Sequence, residues 1–392
     1  MDTAHIKDIN NLIKLDHGKT IIDQKVRRLT APGENYGSLM LSVDLTVKTP
    51  HGTEEIHAVA KMLPPSKFIQ ELFNTNVTFR NEIGFYSKIV PLLQNFQKER
   101  GVAKVIDFAP RYYGSRLNLD DDSTALVLEN LKIDNYVLLD RLEGTDMDVT
   151  KLILEDLAQL HGVSLALKLH KPDVFENEIK PFLAPWKPIP SHYAKLKKDL
   201  HRLIDHVEEL QPFREKIDKE FDQQMVVKEP REPFATVCHN DCWITNNLVK
   251  FDGGKAVKNK MVDYQLCSYG SPARDVLFFI FTTVKSHIVE ASYDYLIKFY
   301  HQKLISILEE LKCDTNEFSL EAFEKELDYE ARNSQFGHVA FMLFPVFANK
   351  ENVKEVAEMT PENIISEEIS DLLKEKFIFF VNQFVKRKWI YN

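Results

Sequence analysis

The chain has 392 residues, of which 44% are hydrophobic and 28% are charged, and its formal net charge is −9. This length exceeds one ordinary hydrophobic core and predicts two lobes, while the composition is typical of a soluble globular protein. Acidic residues outnumber basic ones by 59 to 50, and the basic residues do not cluster in the sequence. Both observations argue against a nucleic-acid binder.

Further exclusions follow from the apolar pattern and the cysteines. The chain does not begin like a signal peptide, and no apolar run approaches the roughly 18 residues that a membrane helix needs. Four cysteines in so long a chain do not make a disulfide framework. We therefore expect a reduced, cytoplasmic protein with no nucleic-acid or membrane partner, present as a monomer or a weak dimer.

The N-terminal pattern predicts a short amphipathic helix over residues 4–14, and then two strands over 22–29 and 39–47. Between the strands, Gly33 and Gly37 can adopt positive φ and allow backbone amides to approach a phosphate. The alternative is an ordinary hairpin turn, which is the better interpretation of this segment in isolation.

A third strand over residues 56–62 carries Lys61 inside an apolar run. Because a buried ammonium without a partner is costly, Lys61 needs an anion such as a nucleotide phosphate. An edge-strand lysine that points to solvent is the alternative. Residues 77–93 then predict a helix, and Glu82 within it is the natural ion partner of Lys61 unless it is a surface glutamate.

Two more strands are predicted over residues 111–117 and 124–131, which completes a five-stranded antiparallel sheet with one large helix. After Leu131 the pattern becomes helical, so we place the lobe boundary at 131 and expect lobes over 1–131 and 132–392. An adenine ring would bind the backbone of Glu129, Asn130 and Leu131 at this hinge.

The second lobe is predicted to be mainly helical, and the fold class is therefore α+β. Its helices are expected at 149–168, 195–220, 272–289, 291–311, 319–347 and 364–388, the last beginning near Thr360-Pro361-Glu362. His161 in the first of them is interpreted as a packed core or surface histidine.

The strongest chemical signal is His239-x-Asp241-x-x-x-x-Asn246, followed by Asp263 at the end of an apolar strand. Strands at 248–251 and 257–262 around an Asp-Gly-Gly turn predict a hairpin that brings Asn246 and Asp263 to the same end. Phosphoryl transfer needs a base for the substrate hydroxyl, here Asp241, and oxygen ligands for Mg²⁺, here Asn246 and Asp263. His239 is expected to fix this loop through hydrogen bonds.

The cysteines near this loop raise two other interpretations. Cys238, Cys242 and Cys267, with His239 and Asp241, could suggest zinc, but the spacing lacks a second Cys/His pair that would complete four ligands. A cysteine nucleophile is no better supported, because nothing in the sequence identifies a partner that stabilises a thiolate.

The chain resembles the ecdysteroid kinase-like (CHK kinase-like) family, related to choline and aminoglycoside kinases. The stretches that carry the resemblance run in order from residue 33 to residue 275 and are listed here: Gly33-Glu34-Asn35-Tyr36-Gly37-Ser38, Ala60-Lys61-Met62-Leu63-Pro64, Asn81-Glu82-Ile83-Gly84-Phe85-Tyr86, Leu128-Glu129-Asn130-Leu131, Leu157-Ala158-Gln159-Leu160-His161, His239-Asn240-Asp241-Cys242-Trp243, Val262-Asp263-Tyr264-Gln265 and Gly270-Ser271-Pro272-Ala273-Arg274-Asp275.

This resemblance implies a two-lobed protein-kinase-like fold that transfers the γ-phosphate of ATP to a small-molecule alcohol, with ecdysteroid-type steroids as the family's namesake substrates. It supports Asp241 as base, Asn246 and Asp263 as Mg²⁺ ligands, and Lys61, paired with Glu82, on phosphate. The loop residues of the first stretch then join the nucleotide site: Gly33, Asn35, Tyr36, Gly37 and Ser38.

Two departures from the family pattern concern the central loop. Asn240 stands where the family usually has Gly, and Thr245 stands where the family often has Asn, so that Asn247 competes with Asn246 for the role of metal ligand. A pseudokinase that binds a nucleotide or a hydrophobic ligand without turnover is the main alternative function. A protein kinase is disfavoured, because Gly270-Ser271-Pro272 follows Asp263 too closely for an activation loop of usual length.

Overall fold

A computed structural model describes residues 6–29, 38–121, 123–186, 190–222, 229–347 and 369–390. Its strands are β1 Thr20–Arg28, β2 Leu39–Thr49, β3 Gly52–Met62, β4 Tyr112–Arg116, β5 Ala125–Glu129, β6 Tyr136–Leu138, β7 Thr236–Cys238, β8 Asn247–Asp252, β9 Lys255–Met261 and β10 Ser268–Gly270. Its α-helices are α1 Ile9–Leu12, α2 Lys67–Leu72, α3 Thr75–Gly84, α4 Val90–Glu99, α5 Met147–His170, α6 Pro172–Val174, α7 Pro190–Asp205, α8 Arg214–Asp222, α9 Pro272–Thr283, α10 Ser286–Glu310, α11 Leu320–Glu330, α12 Phe336–Val346 and α13 Asp371–Lys386.

The first five strands form one antiparallel sheet, as the sequence predicts, and their order in it is β1-β2-β3-β5-β4. One face of this sheet packs under the N-terminal segment, where Ile6 and Leu12 are buried against Val43, Ala58 and Ala60. Because side chains alternate along a strand, Lys61 emerges on the opposite face of β3, toward the rest of the chain.

The remainder of the chain is mostly helical and is built around the buried helices α5 and α9, whose residues contribute to one large core. Within it lie a three-stranded sheet, β6-β8-β9, and the short pair β7-β10. The predicted α+β class with a five-stranded sheet and a mainly helical remainder is therefore confirmed. Among the described residues, no helix combines the length and apolarity needed to span a bilayer.

Several predicted helix boundaries are wrong. The N-terminal helix is only the turn Ile9–Leu12, and the single helix predicted over 195–220 is divided into α7, a 3₁₀ segment Glu208–Phe213 and α8. Pro212 lies in the 3₁₀ segment and cannot donate a helical hydrogen bond, which explains the break. The helix predicted over 272–289 ends at Thr283, and α10 begins three residues later.

The last helix also differs from its prediction. Its predicted start at Thr360-Pro361-Glu362 lies outside the described residues, within which α13 begins at Asp371. Ser370 caps it by accepting a hydrogen bond from the Leu373 amide.

Candidate active site

The central loop is held between short β-structure on both sides. β7 leads into His239, a 3₁₀ turn spans Ile244–Asn246, and β8 and β9 return the chain to Asp263. Asn247 pairs with Met261, and the Val262 amide donates to the Asn246 carbonyl at 2.9 Å. The hairpin therefore brings Asn246 and Asp263 to the same end, as its sequence predicts.

Lys61 joins the sheet to this hairpin. Its Nζ lies 2.6 Å from Glu82 Oε2 on α3, 2.6 Å from Asp263 Oδ1 and 3.4 Å from Gln265 Oε1. Lys61 and Glu82 are both buried, which settles the open choice between a buried and a solvent-facing Lys61. Gln265 is a site contact to which the sequence analysis assigned no role.

The carboxylates of Asp263 and Glu82 stabilise the charged form of Lys61. Burial disfavours the ammonium, but the carboxylates of Asp263 and Glu82 outweigh it and hold the pKa of Lys61 above its ordinary value. Burial, reinforced by the charge of Asp263, raises the pKa of Glu82 to about 7, although Lys61 opposes this shift. A buried lysine that contacts two carboxylates can exchange one of them for a phosphate and remain positively charged.

Asp241 and Asn246 are directly bonded to each other. Asn246 Nδ2 donates to the Asp241 carbonyl at 2.8 Å and to Asp241 Oδ2 at 3.0 Å. Burial and the nearby charge of Asp263 raise the pKa of Asp241 well above its ordinary value, against the opposing hydrogen bond from Asn246. A carboxyl group with a raised pKa is a stronger proton acceptor, which suits a general base.

Asn247, the competing candidate for the metal, lies in a different environment. It is fully buried, its Nδ2 donates to the Trp243 carbonyl at 2.8 Å, and its Oδ1 accepts from Asn259 Nδ2 at 3.0 Å. Asn259 Nδ2 also donates to Asp156 Oδ2 of α5 at 3.1 Å, and burial raises the pKa of Asp156 to about 7. Asn247 thus anchors β8 to β9 and α5, while Asn246 bonds to Asp241.

His239 fixes the loop through both ring nitrogens. Nε2 donates to the Val262 carbonyl at 3.1 Å, and Nδ1 accepts from the Asp241 amide at 3.2 Å. Burial lowers the pKa of His239 and so favours this neutral ring. These bonds tie the Asp241 backbone to the residue before Asp263, in keeping with the positioning role expected of His239.

The geometry of Asn240 accounts for the departure from the glycine that is usual in the family at this position. Its φ is 61°, in the left-handed region that asparagine tolerates better than most residues with a side chain. Its Nδ2 donates to the Leu266 carbonyl and to Ser268 Oγ, both at 2.9 Å. The side chain adds two bonds across the loop that glycine could not make.

Asp275, at the first turn of α9, braces the same loop. Its two carboxylate oxygens accept the amides of His239 and Asn240, each at 2.7 Å, and Oδ2 also accepts His161 Nε2 at 2.9 Å. His161 Nδ1 lies 2.6 Å from the Tyr300 hydroxyl. Burial alone would raise the pKa of Asp275, but the hydrogen bond from His161 opposes this, and the pKa lies below its ordinary value. His161 is therefore a buried structural histidine.

Tyr264 links the loop to the helix that carries Glu82. Its ring stacks on Phe85 with centroids 3.6 Å apart and lies 4.5 Å from the His239 ring. The residue after Asp263 is thus packed between α3's C-terminal end and the central loop, which restricts the position of Asp263 itself.

The hinge residues follow β5. The amide of Glu129 donates to the Arg111 carbonyl at 2.9 Å and that of Asn130 to the His57 carbonyl at 3.2 Å. Of the three expected hinge amides, that of Leu131 is the one not used in these pairings. Glu129 and Asn130 also line a cavity of about 310 Å³ beside the hinge.

The expected phosphate loop falls mostly on residues for which the structure gives no description. Gly33, Asn35, Tyr36 and Gly37 lie outside the described residues. Ser38 is buried at the start of β2, with its Oγ 3.6 Å from Met40 Sδ. The roles expected for these five residues stay predictions.

The cysteines do not assemble into the zinc set that their spacing might suggest. Cys238 Sγ donates to the Ser271 carbonyl at 3.2 Å and Cys267 Sγ to the Phe182 carbonyl at 3.5 Å, while Cys242 contacts Asn247. Burial raises the pKa of all three thiols, which disfavours the thiolate that zinc or nucleophilic chemistry needs.

One close cluster of metal-type side chains occurs among the described residues: His161, Cys238 and Asp275. It is completely buried, and each member already has the hydrogen-bond partners given above. We therefore interpret it as part of the brace under the central loop.

The Mg²⁺ assignment fits the donor atoms present. Both side-chain hydrogen bonds of Asn246 use Nδ2, which leaves Oδ1 for a cation, and Asp263 is partly exposed with Oδ2 beside Gln265. An amide oxygen and a carboxylate are hard ligands of the kind that Mg²⁺ prefers. Asn259 and Asp156 were not predicted as residues near the site, because neither interrupts the pattern of polar and apolar residues in its strand or helix.

The model of the ecdysteroid kinase-like family matches residues 32–313 of the chain. No match was found among curated protein sequences.

Solved structures similar to the chain include three phosphotransferases. An ethanolamine kinase from Plasmodium vivax shares 10% identity, with 94% of this chain and 84% of that chain covered and a TM-score of 0.39. Spectinomycin phosphotransferase APH(9)-Ia, in complex with ADP and spectinomycin, shares 12% identity over 96% and 97% of the two chains, with a TM-score of 0.41. The GDP complex of an aminoglycoside 2'-phosphotransferase-IIIa mutant shares 13% identity over 94% of each chain, with a TM-score of 0.42. Likenesses this distant carry no argument about the substrate or the site.

Proposed function

Because the chain belongs to the ecdysteroid kinase-like family, we propose that it is an ATP-dependent kinase that transfers the γ-phosphate to a hydroxyl group of a small molecule. The observation that carries this proposal is the convergence of Lys61, Glu82 and Asp263 on one side and Asp241 with Asn246 on the other. Phosphoryl transfer needs this combination of a phosphate-binding cation, metal-binding oxygens and a proton acceptor.

Asp241 acts as the base that accepts the proton of the attacking hydroxyl. Its bonds from Asn246 and the braces at His239 and Asp275 hold the carboxylate in place, so that the acceptor oxygen meets it in one orientation. His239 orients the loop and does not itself exchange the proton.

Lys61 exchanges one of its carboxylate partners for an ATP phosphate, while Glu82 keeps the ammonium in position. The adenine ring lies at the hinge of Glu129, Asn130 and Leu131, where the Leu131 amide is the donor. The loop of Gly33, Asn35, Tyr36, Gly37 and Ser38 covers the phosphates. The lobe boundary at residue 131, on this proposal, is the floor of the nucleotide cleft.

On this proposal, Asn246 and Asp263 would hold Mg²⁺. When bound there, the ion neutralises charge on the phosphates and aligns them. Asn247 has no part in this, because its amide is used entirely in bonds to Trp243, Cys242 and Asn259.

The acceptor that we propose is a steroid alcohol of the ecdysteroid type. Support for it comes from the name of the family alone. We propose in addition that the protein works in the cytoplasm, as a monomer or a weak dimer.

An ATP-consumption screen with Mg²⁺ over ecdysteroids, sterols, choline and other alcohols tests the function, with Asp241→Asn as control. Turnover on a steroid alcohol that disappears in Asp241→Asn is the expected result. Turnover that survives this substitution would remove Asp241 as base. Nucleotide binding without turnover on any alcohol would favour the pseudokinase.

A further inference from the structure

A cavity of about 510 Å³ lies in the helical part of the chain, away from the candidate active site. Its walls include Leu142, the N-terminal end of α10 at Ser286, and one side of α13. On α13 the lining residues Leu372, Lys376 and Phe379 recur at helical spacing, so one face of the helix is turned to the cavity.

Part of this wall is apolar. Leu142, Leu372 and Phe379 are partly buried and pack against the main hydrophobic core, while each still lines the cavity. Apolar surface left accessible in a concave site gains free energy when a ligand covers it. The cavity therefore offers a surface for a hydrocarbon body of modest size.

Lys376 supplies the polar feature of the site. Its Nζ donates to Ser286 Oγ at 2.9 Å and lies 5.6 Å from the centre of the Phe347 ring. In the described part of the chain no carboxylate lies within 4.0 Å of this ammonium. Burial lowers the pKa of Lys376, and the neighbouring Glu375 opposes this shift only through its charge.

A half-buried ammonium with a single hydroxyl partner is costly, and an anion placed beside it would lower that cost. Lys285 also lines the cavity, immediately before α10, and the N-terminal end of α10 adds positive potential. The two carboxylates on the lining, Glu143 and Glu375, are at exposed positions.

We propose that this cavity binds an amphipathic carboxylate, with the carboxylate on Lys376 and Ser286 and the apolar body against Leu142, Leu372 and Phe379. The site is separate from the phosphoryl-transfer residues, none of which lines it. The inference therefore stands or falls on binding, independently of the proposed kinase activity.

Three probes with one hydrocarbon chain and different heads test it: octanoate, octanol and octyltrimethylammonium, titrated into the full chain by calorimetry. Octanoate is expected to bind with one site per chain and about tenfold or more tighter than octyltrimethylammonium, with octanol between them. Excess ADP with Mg²⁺ should leave octanoate binding unchanged. Equal affinities for the three probes, or displacement of octanoate by ADP, would overturn the proposal.

Variants of Lys376 locate the site. Lys376→Met keeps the hydrocarbon stem and is expected to weaken octanoate binding about tenfold and to abolish the preference over octanol, while Lys376→Arg retains it. Lys374→Met, on the same helix but outside the lining, is the matched control, because Lys374 pairs with Asp371. If Lys376→Met fails to fold by circular dichroism, Phe379→Ala replaces it and should weaken all three probes alike. Octanoate binding unaffected by these substitutions would refute the site.

Discussion

The ammonium of Lys61 lies 2.6 Å from Oδ1 of Asp263, although 202 residues separate them in the chain. This contact joins β3 of the sheet to the end of the β8–β9 hairpin, and Glu82 completes it from α3. The Lys61–Glu82 pair is predictable from the sequence, whereas the contact of Lys61 with Asp263, the proposed metal ligand, is not. If Asp263 holds Mg²⁺ and Lys61 holds a phosphate, as we propose, the two side chains have to separate when the nucleotide binds.

Lys61→Met should abolish most activity and also destabilise the fold. Glu82 would be left as a buried carboxylate without its cation, which costs about 3–5 kcal/mol in comparable buried pairs. Urea unfolding measures this cost, and the double variant Lys61→Met/Glu82→Gln should recover part of it. A double variant no more stable than Lys61→Met would show that the pair is not coupled in solution.

Substitutions of the two neighbouring asparagines should have different effects. Asn246→Ala is expected to raise the Mg²⁺ concentration needed for half-maximal activity about tenfold or more, since it removes a proposed ligand. Asn247→Ala is expected to lower the free energy of unfolding by about 1–3 kcal/mol, because Asn259 loses a buried partner, with the Mg²⁺ requirement nearly unchanged. Mg²⁺ titrations of activity and urea unfolding of both variants decide the assignment, and the reverse pattern would make Asn247 the ligand.

The protein should be most stable with Asn at position 240, less stable with Gly and least stable with Ala. Asn240→Gly keeps the left-handed backbone but loses the bonds to Leu266 and Ser268. Asn240→Ala loses the same bonds and adds about 1–2 kcal/mol of backbone strain at φ 61°. Thermal unfolding of the three proteins measures the order, and an alanine variant as stable as glycine would contradict the strained geometry.

Asp156 gives a pH dependence with a definite sign. Because its pKa is raised to about 7 in the fold, the folded state holds a proton that the unfolded chain loses near pH 4. Its contribution to stability is therefore full below pH 4 and is lost as the pH rises toward 7, by at most about 1.4 kcal/mol for each pH unit.

Asp156→Asn removes this group while keeping an oxygen for Asn259. Urea unfolding between pH 5 and pH 8 should show that the variant gains stability relative to the natural chain as the pH rises. Glu321→Gln, at an exposed position whose carboxylate pairs with Lys325 and which does not influence Asp156, is the control and should leave the slope unchanged. A natural chain and an Asp156→Asn variant with parallel profiles would refute a raised pKa.

The sequence by itself determined the five antiparallel strands of the first sheet, the lysine–glutamate pair and the hairpin that returns Asp263 to Asn246. These follow from local patterns: alternation in strands, periodicity in helices, and a turn of fixed length between two strands. Helix ends were less well predicted, as the division of 195–220 at Pro212 shows, because several weak signals compete at each boundary.

Only the tertiary structure decided what each polar side chain bonds to. The sequence could not separate Asn246 from Asn247, since the difference lies in Asn259 on the paired strand β9 and in Asp156 on α5, 103 residues before Asn259. The left-handed backbone of Asn240 and the double acceptance by Asp275 are likewise set by how α9 packs under the loop. Whether a hydrogen bond forms depends on differences of a few tenths of an ångström between donor and acceptor. Packing fixes these distances, whereas the local sequence pattern does not.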